Sequence, residues 1–331
     1  MLVRITSAGV CGSDITALRG VHPFRVPPLI SGHEGGGTVV SLGAEVPESW
    51  LGRSVAIEPQ KACGTCEPCM TGVYHLCRDR LMLGMVGWSG TLAEYVVAPT
   101  RCLFPVSPAV PDDLLALVEP LAVAHHAVMQ AAEVAKRKIA VLGGGTIGGL
   151  IVHFLHEFNA ETVVVSDIRP HNRSVGIQFG ATGAVDPFQK GWKEEAFALA
   201  GGRFDVVFVA AAVPGIVDEA VSLLRPQGQV VQVGLFSAAI TFDITALQQD
   251  EISIVGSNVY TGGDFAAGVA TLEKHPALIR QLVNAISTLE EASDYLTGKM
   301  FGSVDDVVKM LVIPAQPPSE DRQLEDSHVS A

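Results

Sequence analysis

This chain is poor in positive charge, in long apolar runs and in repeats. Lys and Arg number 22 against 35 Asp and Glu, giving a formal charge of −13 and a pI near 5.2. Such a surface repels phosphate backbones, so nucleic acid is not an expected partner. The longest apolar stretch, residues 139–152, is too short to cross a bilayer and holds five glycines, so no membrane association is expected. Residues 1–6 alternate like a strand and lack the apolar core of a secretory leader. No repeat of solenoid period is present. Cysteine is scarce, at six residues, and its spacing does not resemble a secreted disulfide framework; it suits a reducing, cytoplasmic setting.

What is abundant is apolar residues, at 48%, and glycine, at 34 residues. In 331 residues this predicts an ordered α/β protein of two domains, too apolar and too weakly charged for general disorder. Residues 1–110 read as short strands (2–5, 37–41, 54–57, 92–97) separated by Gly/Pro turns. Residues 112–135 have a helical period. From residue 138 strands alternate with helices: 139–142, 162–165, 205–209, 229–233 and 252–255. That alternation predicts a parallel sheet covered on both faces. Residues 260–313 add helices and a closing strand at 307–313, and the Pro-, Ser- and Glu-rich segment 314–331 reads as a disordered tail. The expected divisions are 1–120, with a lobe at about 60–80, then 121–258, then 259–313 returning to the first domain.

Cys63, Cys66, Cys69 and Cys77 have the spacing C-x2-C-x2-C-x7-C in a segment broken by Gly64, Pro68 and Gly72. Such a loop can offer four thiolates to one tetrahedral zinc, with Zn–S of about 2.3 Å. Two disulfides or loose redox thiols are the alternatives, and adjacent C-x2-C cysteines bridge poorly. Cys102 reads as a small apolar filler.

Gly143, Gly145 and Gly148 form G-x-G-x-x-G between a strand and a helix, with Ile147 inside the motif. The first permits a tight turn, the second lets backbone approach a pyrophosphate, and the third lets helix and strand pack closely. Asp167 ends the next strand at the right distance to accept from ribose hydroxyls and to repel a 2′-phosphate, which favours NAD over NADP. Arg169 nearby could instead pair with a 2′-phosphate. A packing turn without ligand is the bland alternative.

Cys11, His33 with Glu34, and Glu119 remain. Sulfur, nitrogen and oxygen donors from distant segments suit a catalytic zinc with an open position. Singly, each is more often structural. Ser13, two residues from Cys11, could pass a proton towards solvent or be an ordinary turn hydroxyl. His125 and His126 read as core packing; His153 and His156 read as half-exposed surface.

In this order, Gly-His-Glu at 32–34, the four cysteines, Glu-Pro-Leu-Ala-Val at 119–123, the glycine turn and Val233-Gly234-Leu235 resemble the zinc-dependent medium-chain dehydrogenase/reductase family. The likeness is strongest to its polyol branch of sorbitol, butanediol and threonine dehydrogenases. The resemblance implies a GroES-like β catalytic domain, discontinuous in sequence, around a Rossmann domain. It implies two zincs per chain, one held by the four cysteines and one by Cys11 and His33 with Glu34 and Glu119 as ligands or close neighbours. Val233, Gly234, Leu235, Asn258, Val259 and Tyr260 would line the nicotinamide side, and Trp88, Leu83 and Tyr260 the substrate pocket. The expected substrate is a small secondary alcohol, diol, polyol or hydroxy-amino acid, and the expected assembly a homodimer or homotetramer, with the strand near 252–255 close to where relatives pair.

The chain departs from the family at several points. Thr16 stands where a relay histidine is usual, Val259 where polyol enzymes carry Arg, and Asn172, with Arg173 beside it, where a ribose-contacting cation is usual. Relatives carry roughly 25–35 more residues before the first zinc cysteine, so a shortened first domain with an unpaired strand edge is expected. Two other readings arise from these features: a cofactor-binding homologue without turnover, and a zinc-free reductase of the same fold.

Overall fold

The computed structural model describes residues 1–20, 22, 25, 26, 28–296 and 307–314. The expected tail lies outside them, apart from Pro314. In chain order the strands are β1 (Leu2–Val10), β2 (Glu34–Ser41), β3 (Ser54–Ile57), β4 (Gln60–Lys61), β5 (Leu81–Met82), β6 (Tyr95–Val97), β7 (Leu103–Pro105), β8 (Lys138–Leu142), β9 (Thr162–Ser166), β10 (Gly183–Val185), β11 (Phe204–Val209), β12 (Leu224–Gln232), β13 (Ser253–Gly256), β14 (Val283–Ser287) and β15 (Lys309–Val312).

They form two main sheets. The first has the order β14-β15-β1-β2-β3-β7, with β6 also on β1. It combines residues from both ends of the described chain. The strand β1 is bonded to β2 on one edge and to β15 and β6 on the other, all antiparallel, so it has no bare edge. The second sheet, β10-β9-β8-β11-β12-β13, is wholly parallel. Its strand order is the doubly wound one, in which the chain reverses direction beside the first strand and leaves a crevice at the strands' carboxyl ends. The strands β4 and β5 form a small ribbon at the root of the cysteine segment.

Two helices carry the chain between the sheets. Residues 112–135 do not form one helix: a 3-10 segment, Asp112–Leu117, precedes the α-helix Val118–Met129. Proline at 111 sets its start. The helix Gly262–Lys274 packs along it and begins with a capping box between Thr261 and Asp264. Phe265, Val269 and Leu272 face the shared core.

Three histidines have a different place from that expected. His126 is buried, and both His125 Nδ1 (2.8 Å) and His126 Nδ1 (2.9 Å) bond to Asp264. They are therefore polar ties between the two linking helices rather than plain packing. His153 is not half-exposed surface; it is 3% exposed, because the helix Thr146–Glu157 is apolar on most of its circumference. His156 is exposed as expected.

Burial lowers His153 to about 4; the neighbouring His275, His156 and Lys274 act in the same direction, and Glu157 opposes them. A histidine whose affinity for protons is lower folded than unfolded contributes stability above its unfolded value near 6.5, and that contribution is lost as pH falls towards 4. Melting temperatures at pH 7, 6 and 5 should therefore fall more steeply for the natural protein than for His153→Leu. Parallel curves would contradict this.

Candidate active site

A cavity of about 710 Å³ lies between the sheets. Cys11 and Glu34 line one end, and the glycine turn with Asp167 the other.

At the first end the sulfur of Cys11, a ring nitrogen of His33 and a carboxylate oxygen of Glu34 all lie within 4.8 Å of one another. Local structure explains the convergence. Cys11 follows β1 and is the N-cap of the helix Gly12–Leu18, while His33 precedes β2 and Glu34 opens it beside β1. Gly9 faces Glu34 across the β1–β2 ladder, and a Cβ there would collide with the Glu34 carboxylate. Glycine at this position is what admits an inward-pointing acid. His33 and Glu34 are buried, and His33 Nδ1 has no hydrogen-bond partner. A half-buried thiol beside a buried imidazole and carboxylate is the S/N/O donor set that a zinc ion with one open position would satisfy. Ser13 Oγ is also buried without a partner, and Thr16 Oγ1 donates to Ser13 O at 3.0 Å.

Two charged residues that the sequence reading passed over complete this end. Asp14 is fully buried. It accepts from Cys11 N (3.1 Å), Arg25 Nη1 (3.0 Å) and Ser31 Oγ (2.5 Å), and its Oδ2 lies 3.7 Å from His33 Nδ1. Burial alone would raise its carboxyl; the charges and bonds of His33, Arg25 and Ser31 outweigh this and hold it well below the usual carboxylate range. A carboxylate behind an imidazole is how metal-binding histidines are oriented. Its signal was available: an acid three residues after a helix N-cap. Lys309, 3% exposed on β15, pairs with Glu34 and donates to Val10 O at 3.3 Å. A lone lysine in a closing apolar strand must have a partner, and that was its sequence signal.

Glu119 stands outside the trio. It is buried, and its Oε1 accepts from Tyr260 Oη at 3.1 Å. Burial pushes its carboxyl up, and the Glu34 charge adds to this, against His33 and Lys309.

The three motif glycines divide the work at the other end. Gly143 has φ +100°, which glycine adopts without strain. A Cβ on Gly148 would collide with Gly143 O, and nothing stands within 4 Å of a Cβ placed on Gly145. The second glycine therefore opens to the cavity, at the N-cap of the helix Thr146–Glu157, where free N–H groups favour an anion. Ile147 lines the same wall. Asp167 accepts from Gly144 N (2.8 Å), Arg169 N (2.8 Å) and Asn172 Nδ2 (3.0 Å). Arg173 does not line the cavity: it is turned away, donating to Asp167 O at 2.8 Å and pairing with Asp186 at 3.3 Å.

Val233, Gly234, Leu235, Asn258 and Val259 are not among the residues lining this cavity. Val233 N and Gly234 N both donate to Val209 O, and Leu235 is 65% exposed. Tyr260, Trp88 and Leu83 do not wall it either. All three are buried: Tyr260 against Phe265, Trp88 and Leu83 in the core of the first sheet. Large apolar side chains near a cleft in sequence were taken by the cores.

The sulfurs of Cys63, Cys66, Cys69 and Cys77 also lie within 4.8 Å of one another. No disulfide joins them, and Cys102 is buried as a filler.

Removing the Lys309 ammonium would leave a buried carboxylate without its counter-charge, at a cost of roughly 3 kcal/mol. Lys309→Met should lower the urea midpoint accordingly, and Glu34→Gln should recover much of the loss in the double variant. An unchanged midpoint would show the pair to be dispensable.

The comparisons agree with this geometry. The alcohol dehydrogenase GroES-like domain matches residues 1–108, and the zinc-binding dehydrogenase domain matches residues 146–274. The chain is 31% identical over 313 residues to Probable D-xylulose reductase A of Emericella nidulans, covering 90% of this chain and 87% of that protein. L-idonate 5-dehydrogenase from Escherichia coli superposes with a TM-score of 0.83 at 29% identity, over 94% of this chain and 90% of that one. A zinc-binding dehydrogenase fold from Sinorhizobium meliloti 1021, solved with NADP, gives 0.87 at 29%, over 95% and 92%. A structure described as a short chain alcohol dehydrogenase, from Escherichia coli CFT073 and solved with NADH, gives 0.85 at 27%, over 94% and 91%. A GroES-like sheet, a Rossmann sheet, a metal-ready trio and relatives of this kind identify the chain as a member of the zinc-dependent medium-chain dehydrogenase/reductase family, the alcohol dehydrogenase superfamily, on its polyol branch.

Proposed function

We propose that the chain oxidises a secondary alcohol, diol, polyol or hydroxy-amino acid with NAD, using two zincs. The observation that carries this reading is one cavity with Cys11 and Glu34 at one end and Gly143, Gly145 and Gly148 at the other. Cys11, His33 and Glu34 would hold the catalytic ion, with Glu119 beside them, and the four cysteines the structural one. Bound there, zinc supplies Lewis acidity that lowers the pKa of a substrate hydroxyl. Asp14 sets a negative charge behind the His33 ring, 3.7 Å from its Nδ1, and Lys309 pairs with the Glu34 carboxylate. Ser13 Oγ, buried and unpartnered, is available to pass on the hydroxyl proton; the Thr16 hydroxyl is committed to the Ser13 backbone carbonyl. The amide N–H groups opening the helix Thr146–Glu157 hold the dinucleotide pyrophosphate. The cavity walls exclude water and set the distance for hydride transfer.

Two features support NAD over NADP. Asp167 keeps an anion at the ribose edge, and Arg173, the nearest helix cation, is engaged by Asp186. Against this stands Arg169, which lines the cavity. A homodimer or homotetramer is supported by β13, an edge strand with Ile254 exposed. Six unbridged cysteines suit a reducing compartment such as the cytoplasm. Among the described residues no helix is long and apolar enough to cross a membrane.

The test is growth of NADH absorbance with secondary alcohols, vicinal diols, polyols and L-threonine, before and after chelation. Metal-replete protein should turn over at least one class and chelated protein none; inertness towards all would sink the reading. Asp167→Asn should reduce kcat/KM with NAD roughly tenfold and spare that with NADP, as expected for losing a charged acceptor. Metal analysis should give two zincs per chain, and one in Cys66→Ser.

A further inference from the structure

Val259 is a β-branched residue with φ +55°, and the only β-branched one among the five non-glycine residues with positive φ in the described chain. Lys136, Asn159, Gln227 and Glu251 are unbranched at Cβ. A branched side chain in the left-handed region is strained, and it persists only where its surroundings hold it. Its neighbour in the chain is Tyr260, whose buried ring lies 5.7 Å from that of Phe265 and whose hydroxyl bonds to Glu119.

One buried side chain holds this turn from outside. Gln60 Nε2 donates to Tyr260 O at 2.9 Å. Gln60 is 2% exposed, yet its Oε1 has no partner. Burying the amide with Oε1 unpaired costs desolvation, which the bond to Tyr260 O must offset. Gln60 lies on β4, paired with β5, and those two strands flank the four-cysteine segment. Cys102 Sγ donates to Gln60 O at 3.4 Å. From the same lobe Tyr74 donates to Glu58, and its hydroxyl abuts the start of the next helix: a Cβ on Gly262 would lie 3.0 Å from it.

We propose that Gln60 is a positioning residue: from the root of the cysteine lobe it grips the strained Val259–Tyr260 turn, and through Tyr260 it sets where Glu119 stands beside the reacting site. This rests on the dehydrogenase reading for its kinetic part only.

The test is a double-mutant cycle of Gln60→Leu with Val259→Gly, in zinc-replete protein. Glycine takes φ +55° without strain, so it removes the need for the grip. Gln60→Leu should lower kcat about tenfold, while the dissociation constant for NADH, read by fluorescence, stays unchanged. The same replacement in the Val259→Gly parent should cost less than about threefold. The melting temperature should show the same coupling, with the loss on Gln60→Leu larger in the Val259 background. A purely structural glutamine would lower the melting temperature equally in both backgrounds and leave kcat per folded, zinc-loaded chain intact; that result overturns the proposal. If Gln60→Leu does not fold, Gln60→Asn, whose amide stops short of Tyr260 O, enters the same cycle with the same expectations. If the natural protein turns over no alcohol, the functional reading fails, and the melting-temperature cycle alone still decides whether Gln60 holds the turn.

Discussion

The buried pair between Glu34 and Lys309 is the contact on which the rest of the site depends. It joins β2 to β15, segments 275 positions apart in sequence, beneath the cavity. Two buried charges are costly to desolvate and stay put only when each is paired and further hydrogen-bonded. Lys309 meets this by also donating to Val10 O, and Gly9 makes room for the acid. The strand that carries Lys309 is tied to the other domain as well, because Thr146 Oγ1 donates to Val308 O at 2.6 Å. Thr146 opens the helix at the dinucleotide turn. The metal-ready end and the anion-ready end of the cavity are therefore registered against each other by two adjacent residues.

That registration explains how an acidic protein can receive an acidic cofactor. The whole chain carries −13, but the cavity presents the N-terminus of a helix, Arg169 and the Lys309 ammonium. Fields act locally where the dielectric is low, so at the glycine turn the helix N-terminus and Arg169 count for more than a diffuse surface charge screened by salt, while Glu34 offsets Lys309 at the other end. Burial would weaken the Lys309 ammonium; Glu34 and the other nearby acidic groups more than compensate and raise its proton affinity. It remains charged as the counter-ion that keeps Glu34 buried.

Elements with local causes were legible in the sequence. The strand expected at 139–142 runs Lys138–Leu142, and that expected at 162–165 runs Thr162–Ser166, because an unbroken apolar, largely β-branched run between turn residues has few other uses. The four cysteines and the glycine turn were legible for the same reason, since their partners lie close in sequence. The distant partners of Asp14, Lys309 and Tyr260 were not. Each depends on a contact across at least 11 positions, and no periodicity announces such contacts. Glu119 shows the limit most clearly: its residue type suited a ligand, but only the turn of the Val118–Met129 helix decides that it faces Tyr260 and stands apart from the trio. His153 shows the reverse error, in which a polar residue type was given weight over a helix that is apolar nearly all round.

The two linking helices make the placement of Glu119 a property of the domain junction. Tyr260 bonds to Glu119 near the start of one helix, and a turn or two further on Asp264 bonds to both His125 and His126. Burial would raise the Asp264 carboxyl, but the two imidazoles and Thr261 hold it far below the usual range, so the tie is ionic on at least one side across neutral pH. Two polar clamps on one helix pair resist both sliding and rotation, since either motion would leave a buried carboxylate unpaired. The Glu119 carboxyl, bonded to Tyr260, is carried as part of that junction.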